Sequence, residues 1–136
     1  MKQLTVEALR ENLPQVLGFI DAELEGVGCP MKTQMQIDLA VEEIFVNIAS
    51  YAYHPDTGEA TVGIEIEDGS AVSVVFTDSG IPYDPLAKAD PDVTLSAEDR
   101  DIGGLGIFMT KKCMDDITYE YKNGMNVLCL KKEIGR

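Results

Sequence analysis

Apolar residues recur along this chain with two different periods, and each period predicts a different kind of element. The opening LTVEA alternates between apolar and polar positions, as a short strand does. A helical period follows, with Asn12 as its predicted cap and Gly26 at its end. A second helical period predicts a helix that Thr33 caps and that continues to about Tyr53, where a His-Pro pair stops it.

The second half of the chain predicts two hairpins and a third helix. ATVGIEIED and AVSVVFTD alternate on either side of Asp68-Gly69, and ITYEYK and MNVLCLKKE flank Asn123-Gly124, the stronger turn signal. The segment GLGIFMTKKCMDD between the hairpins has a helical pattern. Together these elements predict an α+β fold, a two-layer sandwich in which about three helices cover one face of a mixed, mostly antiparallel sheet.

Length and composition favour one domain over residues 1–136, with 45% hydrophobic residues to form its core. The N-terminus lacks the features of a signal peptide and no long apolar run is present, so we expect a cytoplasmic protein. Cys29, Cys113 and Cys129 are odd in number and form no CxxC pair, which argues for buried free thiols rather than disulfides or a zinc site.

The formal charge of −13 argues against nonspecific binding to nucleic acid or to anionic membranes. No cluster of Lys and Arg is present to release the counterions of a polyanion. A polyanionic ligand would therefore need a local site, such as a glycine-bearing backbone, a helix N-terminus or a metal ion.

The second helix carries polar residues on a face where apolar ones are expected. Glu43 and Asn47 are one helical turn apart and point the same way, within the apolar sequence DLAVEEIFVNIASYAY. A carboxylate among apolar side chains needs a partner, such as a metal ion, a water or a ligand proton. A plainly structural alternative is a solvated helix edge at Glu42 and Glu43, with Asn47 satisfying nearby backbone.

Two further stretches combine polar residues with glycine. Asp78 and Gly80 follow a hydrophobic strand, where a carboxylate can accept a hydrogen bond from an exocyclic amine and the glycine lets the backbone approach a flat ring. Gly103, Gly104 and Gly106 precede or open the third helix, where backbone N–H groups can reach an anion. Taken singly, ordinary turn chemistry explains each stretch as well.

In combination, the order E-x-x-x-N, D-x-G and G-G-x-G resembles the ATP-binding superfamily of DNA gyrase B, the MutL proteins and the histidine kinases. Within it, the chain is most similar to the small anti-sigma-factor serine kinases of the RsbW and SpoIIAB type. The resemblance extends from about Leu4 to Lys132. It implies a histidine-kinase-like ATPase fold.

The resemblance also implies residue roles. Asn47 matches the asparagine that binds Mg²⁺ between the ATP phosphates, and Glu43 matches the general base for the attacking hydroxyl. Asp78, with Gly80 beside it, matches the aspartate that binds the adenine amino group, and Asn126 lies where the family has a polar residue near the adenine. The glycines that match the phosphate-binding lid are Gly103, Gly104 and Gly106.

The implied activity is that of an ATP- and Mg²⁺-dependent protein serine kinase. Its implied acceptor is a serine of an anti-sigma antagonist, and its implied second partner is a sigma factor or similar regulator. Relatives form homodimers, for which the N-terminal strand and first helix offer an apolar surface. Direct binding to nucleic acid or to a membrane is not expected.

The sequence departs from the family pattern at several positions. Pro82 replaces a second glycine, and Ser50 and Tyr51 stand where the family tends to have a basic residue and a histidine. Arg100 is a candidate to replace the missing positive charge, and a solvated lid residue is the alternative. These departures leave open a nucleotide-binding regulatory module without significant kinase activity, and a chance coincidence of motifs in a domain that binds no nucleotide.

Overall fold

The computed structural model describes residues 1–53, 56–87 and 104–134. Its strands are β1 (Lys2–Glu7), β2 (Glu59–Glu67), β3 (Ala71–Asp78), β4 (Asp116–Lys122) and β5 (Met125–Glu133). Its α-helices are α1 (Leu13–Gly26), α2 (Met31–Asn47) and α3 (Gly104–Cys113). Short helical turns cover Arg10–Asn12 and Pro85–Ala87, and a π-helical turn over Ile48–Ala52 continues α2.

The strands form one five-stranded sheet in the order β1-β2-β3-β5-β4. Each pairing between described strands is antiparallel, rather than only most of them. Both predicted hairpins are present, with φ of 53° at Asp68 and at Asn123 and φ of 67° and 77° at the glycines that follow them. Positive φ at both central residues is the signature of the hairpin turn that the Asp-Gly and Asn-Gly pairs predict. The predicted α+β two-layer fold is confirmed.

The core lies between the sheet and the helices. Alternate residues of the central strands point into it, and register places Val62 opposite Phe76 and Phe76 opposite Leu128. The helices contribute residues at helical spacing, which are Val16, Ile20, Leu24, Ile37, Val41, Ile44 and Phe45. Helix α2 contributes most of these residues, so one face of it is buried in the core. Only the rest of its surface can face a ligand.

Of the two predicted helix caps, Thr33 is wrong, and Asn12 is correct in position but makes no capping hydrogen bond. Helix α2 begins at Met31 after Pro30, so Thr33 lies inside its first turn and does not cap it. Asn12 occupies the N-cap position of α1, but its side chain makes no capping hydrogen bond to the helix, and its Nδ2 donates to the Glu7 carbonyl at 2.9 Å. The His-Pro pair predicted to end the second helix lies outside the described residues.

Two carboxyl groups meet between α1 and α2. Burial raises the pKa of Asp38 to about 7, assisted by a hydrogen bond with Asp21 and by the negative charges of Asp21 and Glu25. Among the described residues, no donor reaches the buried Oδ1 atoms of Asp21 and Asp38. The proton that Asp38 retains through its raised pKa can supply the missing donor between the two carboxyl groups.

The three cysteines are free but only partly buried, so the prediction of free thiols holds and that of full burial does not. Within the described part of the chain, no helix is both long enough and apolar enough to cross a membrane.

Candidate functional site

A cavity opens where the end of α2 faces the C-terminal end of β3. Asn47, Asp78 and Asn126, three of the residues singled out in the sequence, line it together. The rest of its wall is mostly apolar or aromatic and consists of Ile44, Ile48, Tyr51, Ala52, Phe76, Ile81, Tyr83, Pro85, Tyr119 and Leu128. An apolar cavity with a few convergent polar groups is the usual form of a small-molecule site.

Asp78 ends β3 with its side chain almost entirely buried, at 6% exposure. Its Oδ1 accepts hydrogen bonds from the backbone N–H of Gly80 at 2.9 Å and from Asn126 Nδ2 at 3.0 Å. From the described residues, no hydrogen bond reaches its Oδ2. Because Asp78 lines the cavity, this second oxygen is the atom that can accept a hydrogen bond from a ligand amine.

Asn126 on β5 holds Asp78 in place. The two residues are direct partners in the β3–β5 register, and Asn126 Nδ2 also donates to the Ile81 carbonyl at 2.8 Å. Its Oδ1 accepts from the Tyr83 backbone N–H at 3.1 Å and from the Tyr119 hydroxyl. A primary amide has two donors and two acceptor lone pairs, so these contacts use the full capacity of Asn126. The side chain therefore positions Asp78 and the loop that follows it.

Gly80 brings this loop against the end of α2. A Cβ added at Gly80 would lie 2.2 Å from the Ala52 carbonyl oxygen, well inside van der Waals contact. The same carbonyl accepts a hydrogen bond from the Ile81 N–H at 2.9 Å. Tyr53 adds a second connection, since its hydroxyl donates to the Glu59 carbonyl at 2.6 Å and accepts from the Ser79 N–H at 2.8 Å.

Glu43 and Asn47 are brought together, as the sequence predicts. Asn47 Nδ2 donates to Glu43 Oε1 at 3.3 Å, which leaves Asn47 Oδ1 as the atom that can coordinate a metal ion. Burial raises the pKa of Glu43, the Asn47 hydrogen bond opposes this rise, and the charge of Glu42 adds to it. Glu43 lies at a second groove, whose lining is Leu39, Ala40, Glu42, Glu43, Met109, Thr110 and Cys113.

The glycine cluster is only partly described. Gly104 and Gly106 lie in the first turn of α3, the position at which backbone N–H groups remain available to an anion. Gly103 and Arg100 lie outside the described residues, so their predicted roles remain predictions.

Sequence reasoning missed several residues at the site and named Tyr51 only as a departure from the family pattern. Tyr51 and Tyr83 line the cavity with ring centroids 6.3 Å apart, and Tyr119 reaches it from β4. Arg10, far away in sequence, donates from Nη2 to Ser50 Oγ at 3.1 Å. The substitution of a serine for the expected basic residue at position 50 was the available signal, but it did not identify a partner 40 residues earlier.

The site is suited to a nucleotide. A flat base requires apolar walls and an acceptor for its amino group, which the cavity supplies through its lining and Asp78 Oδ2. The start of α3 and Asn47 Oδ1 are suited to phosphate and to a metal ion respectively. Fold and site thus define an α+β nucleotide-binding domain.

The chain belongs to the histidine kinase-like ATPase domain family, whose match covers residues 6–132. It is 27% identical over 99 residues to the serine/threonine-protein kinase BtrW of Bordetella bronchiseptica, covering 73% of this chain and 70% of that protein. It is 34% identical over 100 residues to the serine-protein kinase RsbW of Listeria monocytogenes serotype 4a, covering 70% of this chain. The match spans 63% of that RsbW.

Solved structures agree on the fold. The RsbU and RsbW domains of Rv1364c from Mycobacterium tuberculosis match with a TM-score of 0.66 at 13% identity, over 100% of this chain and 33% of that chain. The histidine kinase domain of the blue-light-activated histidine kinase EL346 from Erythrobacter litoralis matches with a TM-score of 0.56 at 16% identity, over 92% and 60% of the two chains. These likenesses show the fold, and the match over residues 6–132 shows the kinase-like ATPase family.

Proposed function

We propose that this chain is an ATP-dependent protein serine kinase that phosphorylates a serine of an anti-sigma antagonist and also binds a sigma factor or similar regulator. The observation that carries the proposal is the Glu43–Asn47 pair, which lies beside the cavity of Asp78 and joins a candidate base to a candidate metal ligand. The names of the BtrW and RsbW relatives support the kinase class.

In the proposed reaction, each residue acts through one atom. Asp78 Oδ2 accepts a hydrogen bond from the adenine amino group. Asn126 Nδ2 donates to the other oxygen, Oδ1, and so holds the carboxylate in its orientation. Glu43 takes the proton of the serine hydroxyl as its oxygen attacks the γ-phosphorus and the bond to the bridging β–γ oxygen breaks, giving phosphoserine and ADP. Asn47 Oδ1 would hold Mg²⁺, which neutralises phosphate charge.

The groove beside Glu43 offers a path for the acceptor. It lies between α2 and α3, with Leu39 58% exposed and Met109 51% exposed at its apolar edges. Met31 and Met35 extend the exposed apolar surface along α2 toward its N-terminus, at the spacing of successive helical turns. We expect the antagonist to dock on this surface and to present its serine to Glu43. A homodimer through β1 and α1 remains a prediction of the resemblance.

The first experiment tests the nucleotide site through thermal unfolding. A ligand that binds only the folded state stabilises it by about 2.7 kcal/mol at a hundredfold excess over its Kd. We expect ATP to raise the Tm of the wild type more with Mg²⁺ than without it, and Asn47→Ala to lose this magnesium dependence. Absence of any ATP-induced shift in the wild type would refute the nucleotide site.

The second experiment separates binding from transfer. ADP formation is followed with antagonist-type proteins as acceptors, for Glu43→Ala and for the matched variant Glu42→Ala, which removes the neighbouring carboxylate. We expect Glu43→Ala to lower transfer about 100-fold or more while ATP binding survives, and Glu42→Ala to retain most of it. Equal transfer by Glu43→Ala and the wild type would show that the base is misassigned.

A nucleotide-binding regulatory module without significant transfer is the second candidate. The observation that favours it is Tyr51, an aromatic ring on the cavity wall where relatives tend to have a histidine. It predicts magnesium-dependent ATP binding in the first experiment and no phosphoserine in the second with any antagonist that binds the chain.

A further inference from the structure

Arg10 lies beside the π-helical turn Ile48–Ala52, which follows the candidate metal ligand Asn47 at the end of α2. It occupies the short helical turn Arg10–Asn12 between β1 and α1, and its Nη2 donates to Ser50 Oγ at 3.1 Å. Ser50 belongs to the π-helical turn that follows Asn47 directly. The contact therefore brings a guanidinium group from the start of the chain to the end of α2.

The backbone on both sides of Arg10 is fixed. Ala8 is buried at 3% exposure, and its N–H donates to the Gly58 carbonyl at 2.8 Å. On the other side, the Asn12 N–H donates to the Leu9 carbonyl at 2.9 Å, and Asn12 Nδ2 donates to the Glu7 carbonyl. Asn12, whose side chain makes no capping hydrogen bond to α1, thus helps to hold the turn that presents Arg10.

Helical geometry places Ser50 on the same side of Asn47 as Glu43, the candidate general base. At about 100° per residue, Glu43 and Ser50 both lie about 40° to 60° to one side of Asn47, whereas Ile44 and Ile48 lie to the other side. The π-helical turn that begins at Ile48 increases the angle between Ser50 and Asn47 about the helix axis, but Ser50 stays on the same side of Asn47 as Glu43. Ile44 and Ile48 line the apolar cavity, so Arg10 approaches from the side of the candidate base.

The charge of Arg10 is not neutralised by a described carboxylate. The ion pairs among described residues involve Lys2, Lys122 and Lys132, and none includes Arg10. Arg10 thus carries a positive charge without a described carboxylate partner in a chain with 24 acidic and 11 basic residues. For a nucleotide polyphosphate approaching a protein of charge −13, a cation beside the end of α2 offsets part of the repulsion.

We propose that Arg10 binds the terminal phosphates of the nucleotide and replaces, from another element, the basic residue missing at position 50. The inference rests on the proposed function. A guanidinium group matches phosphate oxygens with two parallel N–H donors, and Ser50 orients it through one hydrogen bond. A lysine at position 50 would place a second positive charge beside Arg10, whereas the Ser50 hydroxyl accepts a hydrogen bond from it.

The test compares Arg10→Gln with Lys32→Gln, which makes the same charge change on the first turn of α2, about 22 Å along the helix from Asn47. Isothermal titration calorimetry gives the Kd for ATP with Mg²⁺, for ADP with Mg²⁺ and for adenosine. We expect Arg10→Gln to weaken ATP binding about tenfold or more and adenosine binding less than about twofold. Lys32→Gln should change neither value beyond about twofold.

A second variant tests the replacement itself. Ser50→Lys introduced into Arg10→Gln should restore ATP binding to within about threefold of the wild type, because it returns the cation to the helix. The unliganded Tm of every variant serves as the folding control. Unchanged ATP affinity in Arg10→Gln, or an equal loss for ATP and adenosine, would overturn the assignment. Failure of the wild type to bind any nucleotide would instead overturn the proposed function and this inference with it.

Discussion

Gly80→Ala tests whether the contact between the aspartate loop and α2 is as close as the structure shows. The added Cβ would lie 2.2 Å from the Ala52 carbonyl oxygen, so the loop must move by about 1 Å to reach ordinary contact. That movement breaks the Ile81–Ala52 hydrogen bond, which contributes about 1 kcal/mol, and the forced shift adds about 1–3 kcal/mol. We expect a net loss of about 2–4 kcal/mol.

Urea unfolding and thermal unfolding both measure this loss. For a chain of 136 residues the unfolding entropy is about 0.3 kcal/mol per degree, so the Tm should fall by about 7–13 °C. Gly18→Ala is the matched control, because it lies inside α1 and its Cβ meets nothing within 4 Å. That control should gain about 0.5–1 kcal/mol from helix propensity. If Gly80→Ala were as stable as the wild type, the close approach would be wrong.

Three further predictions concern single side chains. Tyr53→Phe removes two hydrogen bonds and should lower the free energy of unfolding by about 1–2 kcal/mol in urea, whereas exposed Tyr121→Phe should stay within about 0.5 kcal/mol. The pKa of Asp38 rises on folding from 3.8 to about 7, so the wild type should lose stability as pH rises between these values, and Asp38→Asn should show a flatter dependence in unfolding measured at several pH values. The raised pKa of Glu43 should place the acidic limb of phosphoryl transfer above pH 4.5 in a pH–rate profile, and a limb at or below that value would contradict the burial of this carboxyl.

The hairpins and the helix periods could be predicted because their causes are local. Asp68-Gly69 and Asn123-Gly124 determine their own turns through the positive φ that both residues adopt. Glu43 and Asn47 share a helix, so their spacing alone places them together.

The start of α2 was mispredicted, whereas α1 begins directly after Asn12, as predicted, but without the capping hydrogen bond. Helix α2 begins at Met31, directly after Pro30, which takes the N-cap position with an extended ψ of 142°, so Thr33 already lies inside the first turn. The Asn12 side chain makes no capping hydrogen bond to α1, and its Nδ2 donates to the Glu7 carbonyl, a tertiary contact that the local pattern did not predict.

Contacts that depend on the order of strands in the sheet could not be predicted from local sequence patterns. The chain visits β4 before β5, yet β5 is the strand that pairs with β3. This order makes Asn126 the partner of Asp78, although 48 residues separate them. Arg10 reaches Ser50 for the same kind of reason, because the turn before α1 packs beside the end of α2 only in the folded chain.

The Asp78–Asn126 pair has a consequence for biosynthesis. Strands β2 and β3 and helix α2 leave the ribosome well before β5, but the carboxylate of Asp78 has no side-chain partner until Asn126 has emerged and paired with β3. A nascent chain that ends before β5 would lack this hydrogen bond, so the loop after Asp78 would not be held as a wall of the candidate adenine pocket. The candidate nucleotide site is therefore complete only after β5 has paired with β3, later than the strand and helix that carry Asp78 and Asn47.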